Sequence, residues 1–185
     1  MIDQNKMTQN DNQTRTQIYS QIWYEMVHAK FWEQYLSDYT LYKYDYRKWY
    51  NIITMLISVI GASTFPLWKL VDGRDWVPSI IFGAMAIAQI LAVFQKNMVS
   101  DNSQLEEMIK LRCLYITYFN NLEKLYLTFN LLNEKELIER YYQLREESIP
   151  IEKLKDSLNI RPYRKLKEKG EEKARQYLKT RYKAE

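Results

Sequence analysis

The chain has 185 residues, 46% hydrophobic and 27% charged, with net charge +4 and mean hydropathy −0.51. One cysteine, Cys113, excludes an internal disulfide, and a single Cys with a single His (His28) excludes a Cys/His zinc cluster. Gly61, Gly73, Gly83 and Gly170 lie far apart, so no glycine-rich loop can cradle a phosphate.

Residues 1–14, MIDQNKMTQNDNQT, are polar and are expected to be disordered. No Gly or Pro follows until Gly61, which predicts one long helix from about Gln17. The first 48 residues hold no short apolar core, so no signal peptide is expected. Tyr35, Tyr39, Tyr42, Tyr46 and Trp49 are spaced 4, 3, 4, 3, the seam of a helix that packs on another. Tyr and Trp also favour membrane interfaces, and stacking on a ligand is a third use.

Two uncharged runs follow, WYNIITMLISVIGASTFPLW at 49–68 and WVPSIIFGAMAIAQILAVFQ at 76–95. Each has the length of about 20 residues that a membrane span needs. A soluble helix of that length should repeat a polar face, and the second run has only Gln89 in its interior. The runs therefore predict two spans, 49–70 and 77–96, joined by a short outer loop at 71–76. A buried hairpin of a soluble protein is the plain alternative. Lys43, Arg47, Lys48 and Lys96 flank the runs, against Lys69 and Arg74 at the tip. That bias and the long basic C-terminal segment place both termini in the cytoplasm of an inner-membrane protein.

Within the runs, Thr54 and Ser58 share one stripe, as do Ala84, Ala88 and Ala92, with Gly83 beside them. Small residues at this spacing let helices approach closely. Hydroxyls and Gln89 are costly toward lipid, so Thr54, Ser58 and Gln89 are candidates to line a water-filled path. Plain packing, with hydroxyls bonded to their own helix carbonyls, is the alternative. A path would need an oligomer, since two helices enclose no pore.

Residues 97–148 read as further helices. Ser103 and Glu106 suggest a capping box. Met108, Leu111, Tyr115, Tyr118, Leu122, Leu125, Phe129 and Leu132 then repeat at 3, 4, 3, 4, 3, 4, 3. This seam should pack on the helix before the first run, or on a copy of itself. Asn133 and Glu136 offer a second cap, for a helix to about Glu147; Ser148 and Pro150 mark a turn, and Arg161–Pro162 another break.

Residues 149–185 form a basic helical tail: from Ile151 on, twelve Lys or Arg face six Asp or Glu. Its amphipathic face runs through Tyr163, Leu166, Gly170, Ala174, Tyr177 and Arg181. Arg161, Arg164, Lys165, Lys167, Arg175, Lys179 and Arg181 could meet anionic lipid or the phosphates of a nucleotide or oligonucleotide. A solvated bundle helix is the plain reading. The adjacent acid pairs Glu106–Glu107 and Glu171–Glu172 point apart on helices and build no acid–base site. No enzyme, cofactor or metal is expected.

The layout resembles the SLATT family, two-transmembrane effectors of bacterial nucleotide-signalling defence systems, over roughly Gln17 to Glu147. The resemblance is one of architecture and carries no residue-by-residue motif. It implies an effector that oligomerises in the inner membrane, opens a pore and depolarises the infected cell. It also implies control by a nucleotide-derived ligand that a neighbouring nucleotidyltransferase makes. The expected fold is an all-α membrane protein: a two-transmembrane hairpin continuous with a cytoplasmic helical bundle, assembled as a homo-tetramer. A membrane-anchored scaffold or receptor, and a soluble helical adaptor, are the rival readings.

Overall fold

The computed structural model describes residues 2–67, 83, 85–87, 89–90 and 102–182, with side chains from residue 13 onward and none for 60–67. Regular structure among these residues is helical: α1 (Ile2–Leu67), α2 (Asn102–Thr128), a 3-10 turn (Phe129–Leu131), α3 (Glu134–Ser157) and α4 (Arg164–Tyr182). The chain forms two compact units, one of Met1–Tyr39 with Glu106–Glu185, the other Thr40–Leu105.

The first unit is a helical bundle. On α1, Ile18, Ile22, Met26, Ala29 and Leu36 are buried at helical spacing. They meet the α2 seam, where Met108, Leu111, Tyr115, Tyr118, Leu122, Leu125 and Phe129 are all buried, as expected from its periodicity. Leu137, Tyr141 and Ile151 of α3 and Leu178 of α4 complete this core. Truncating a fully buried member such as Leu122 to Ala should cost about 2–5 kcal/mol.

The helix ends follow local chemistry. The Asn133 side chain accepts the Glu136 backbone N–H at 2.9 Å, the expected cap of α3. Asn159 takes φ 44°, in the left-handed region that Asn tolerates, and its N–H reaches the Asp156 carbonyl at 3.2 Å. Pro162 then precedes α4.

Two expectations change. α1 starts at Ile2, although composition pointed to disorder through residue 14. α3 does not stop near Glu147 but runs through Pro150 to Ser157. A proline inside a helix costs about 3 kcal/mol. Here the stripe of Leu137, Tyr141 and Leu144 continues to Ile151, so burial beyond the proline offsets that cost. Gly170 and Ala174 of the expected amphipathic face, with Leu178, bury α4 in the bundle.

The membrane hairpin is overturned as well. Among the described residues, no helix is long and apolar enough to cross a membrane. Placement as a multi-pass inner-membrane protein, with both termini on the cytoplasmic side, loses its basis with the spans. Most of 76–95, with Ala84, Ala88, Ala92 and the loop at 71–76, lies outside the described residues.

Candidate functional site

The bundle pairs its charges both within helices and across them. Glu25 of α1 accepts hydrogen bonds from Tyr118 of α2 and, at 2.9 Å, from Tyr141 of α3. Arg145 stands 3.7 Å away. Burial, followed by the bonds to this carboxylate, pushes both phenols up, Tyr141 to about 12. Lys30 is buried, 2.8 Å from Glu33, with its ammonium 3.8 Å from the Tyr177 ring centroid and 5.0 Å from that of Phe119.

Asp38 receives Lys173 at 2.9 and 3.0 Å, with Lys169 3.3 Å away. Burial opposes the charge on Asp38, but these two lysines outweigh it and hold the carboxyl below its ordinary value. Tyr35 donates to the Arg161 carbonyl at 3.1 Å and accepts the Tyr163 N–H at 3.2 Å, tying the turn before α4 to α1. Neighbouring Tyr39 is raised to about 12, first by burial and then by Tyr163 and Tyr35.

His28 accepts from the Trp32 indole at 2.9 Å, and Lys155 of α3 stands 5.2 Å from the Trp32 ring centroid. Burial first, then Lys155, lower the His28 pKa, with Glu25 opposing. Arg15 donates to the Phe129 and Leu132 carbonyls, both at 3.3 Å, where the end of α2 exposes unpaired acceptors.

Several of the predicted ligand contacts have an acidic neighbour. Arg181 pairs with Glu123, Arg164 lies 3.6 Å from Glu168, and Lys167 lies 3.8 Å from Glu171. All seven basic candidates are exposed. Lys165, Arg175 and Lys179 have no acidic partner among the described residues. Spacing along one helix shows the i,i+4 pairs of Arg164 and Lys167 but not the pair of Arg181, since Glu123 lies on α2.

Open pockets line the bundle surface. One of about 590 Å³ is bounded by Gln34, Lys173, Gln176, Tyr177, Thr180 and Arg181. Its two cations already serve Asp38 and Glu123. Among the described residues, no group of three His, Cys, Asp or Glu could hold a metal.

In the second unit, the hydroxyls proposed for a water path bond to their own helix. Thr54 donates to the Tyr50 carbonyl at 2.9 Å and Ser58 to the Thr54 carbonyl at 2.8 Å. Gln89 and Gly83 are exposed, and among the described residues a Cβ on Gly83 would meet nothing within 4 Å. Of the expected Tyr seam, Tyr35 and Tyr39 are buried in the first unit, whereas Tyr42 and Tyr46 are exposed in the second.

The exposed residues of α1 beyond Tyr39 are largely apolar, including Leu41, Trp49, Ile53, Met55, Leu56 and Val59. The half-covered ones are largely polar: Thr40, Lys43, Arg47, Tyr50 and Thr54, then Ile57. Arg47 donates to Asn102 on this side. The usual arrangement of a water-facing helix is inverted here. No protein-family model, curated protein or solved structure matches the chain.

Proposed function

We propose that this chain is a non-enzymatic helical effector that works by associating with copies of itself. The observation that supports this reading is the apolar outer face of α1 from Leu41 to Val59. Monomers seldom leave contiguous apolar patches beyond a few hundred Å² uncovered. The charged contacts that join α1 to α3 and α4 agree with it, because they hold helices of the bundle together. Conduction through a membrane is not part of the proposal, since the spans it requires are overturned.

Sedimentation velocity of the full chain tests the reading. A mass that rises with concentration in the low micromolar range is expected. A 22.5 kDa monomer at every concentration would refute it.

Control by a nucleotide-derived ligand, which the resemblance implies for an effector of bacterial defence, stands as a second reading. Lys165, Arg175 and Lys179 favour it, as exposed cations of α4 without an acidic partner among the described residues. Titration with a short oligonucleotide should give binding that weakens steeply with salt. No binding at 50 mM salt would remove it.

A further inference from the structure

The self-association just proposed leaves open which surfaces meet. Beyond Tyr39, α1 carries three stripes at heptad spacing. The half-covered one is Thr40, Lys43, Arg47, Tyr50, Thr54 and Ile57, which holds Asn102 of the same unit. A second is Tyr42, Tyr46, Trp49, Ile53 and Leu56, all exposed, with Trp49 at 64%. A third is Leu41, Asp45, Lys48, Ile52, Met55 and Val59, also all exposed, with Met55 at 68%. At 100° per residue, the two exposed stripes lie roughly 100° apart on the helix.

We infer that these two stripes join unlike surfaces of neighbouring copies, the Trp49 stripe of one chain on the Met55 stripe of the next, in a closed ring. Four observations carry this. Both stripes step by 3 and 4, so each fits a helix of the same pitch. They cover the same stretch of α1, so copies side by side match in length without an offset. Their charges offer no handle for a charged partner: the Trp49 stripe has none, and Asp45 and Lys48 offset each other. One stripe from each of two copies brings together exposed apolar area on the order of 1,000 Å² in total, about the least that a specific interface buries.

A two-fold dimer through either stripe would cover that stripe twice and leave the other bare. A head-to-tail contact covers both and closes into a ring when the rotation divides a full turn. The Trp49 stripe also continues, in the same register, the Tyr35 and Tyr39 positions already packed in the bundle.

Paired cysteines test the inference. Cys113 is exposed, so Cys113→Ser gives the parent chain. Two partners are made on it, Ile53→Cys and Ile52→Cys, and each is checked by circular dichroism and by sedimentation against the parent. A ring predicts that mixing them gives at least ten-fold more disulfide dimer than either variant alone. It also predicts that the double variant gives a ladder ending at one closed species of three or more chains. Disulfide within each single variant, and none between them, would overturn the ring while leaving self-association intact. A parent that sediments only as monomer would defeat both. A parent that is monomeric until it binds phosphatidylcholine vesicles would overturn both, with lipid covering the stripes instead. If a cysteine variant misfolds, Leu56→Glu in the parent decides: the ring predicts loss of the oligomer to monomer, and an unchanged mass overturns it.

Discussion

Lys173 of α4 reaches both carboxylate oxygens of Asp38 on α1, at 2.9 and 3.0 Å. Asp38 is buried while Lys173 is partly exposed. The carboxylate therefore depends on its lysines more than they depend on it. Lys169 stands 3.3 Å away and can still answer the charge when Lys173 is lost.

Lys173→Met should accordingly cost only about 1 kcal/mol, discounted for the solvent at the lysine. Lys169→Met combined with it should cost about 3 kcal/mol, because a buried carboxylate is then left alone. Urea denaturation of the three chains measures this. Equal costs for the single and the double variant would show that Lys169 carries none of the charge.

Acid should destabilise the bundle through His28. Its pKa is lowered in the fold, so between that lowered value and the ordinary 6.5 the unfolded chain binds more protons. The stability that the neutral ring contributes is complete above about 6.5 and is lost as the pH falls toward the folded value. Asp38, also lowered, adds a further loss at more acidic pH. Denaturation midpoints measured between pH 7 and pH 5 should fall, and His28→Gln should flatten that slope. An unchanged slope in the variant would assign the loss elsewhere.

Gly170 lies mid-helix in α4, and a Cβ there would stand 3.4 Å from Phe31 and from the Tyr35 backbone, ordinary contact distance. Gly170→Ala should therefore stabilise by about 0.5–1 kcal/mol through helix propensity. Gly170→Leu should destabilise by about 2 kcal/mol or more, because its larger side chain meets Tyr35 with no room to move. Thermal denaturation distinguishes the two signs.

Tyr118 and Tyr141 converge on one carboxylate, so their contributions should couple. Tyr118→Phe and Tyr141→Phe should each cost about 1.5 kcal/mol, as bonds to a charged acceptor do. In the double variant the carboxylate has neither phenol, and the combined cost should differ from the sum by about 0.5 kcal/mol or more. Strict additivity would show that the two phenols act independently on Glu25.

Much of the bundle was legible before any contact was known. The run from Met108 to Phe129 alternates 3 and 4, and that spacing alone selects which side of α2 is buried. Asn133 with Glu136 announced a cap for the same reason, since both partners lie within one helical turn. The break at Arg161–Pro162 followed from the proline.

Other features depended on what each residue meets. Pro150 read as a stop because a local rule ignores Ile151, whose burial keeps α3 going. The pairing of Arg181 could not be read from the sequence because Glu123 is distant along the chain. For Thr54 and Ser58 spacing left a water path and plain packing both open, because it does not say where a hydroxyl bonds; both bond to carbonyls of their own helix. The membrane reading rested on the lack of charge in 49–68 and 76–95, and no described helix is long and apolar enough to cross a membrane.

By itself, the sequence determined that this chain is helical, that breaks fall before Asn133 and at Pro162, and which stripe of α2 is buried, because periodicity and caps act within a few turns. Only the tertiary structure decided the partners of its charges. It also decided that the Tyr35–Trp49 seam is covered as far as Tyr39 and bare from Tyr42. A heptad records that a helix has a side meant for another helix; whether that helix is present depends on contacts between residues far apart in the chain.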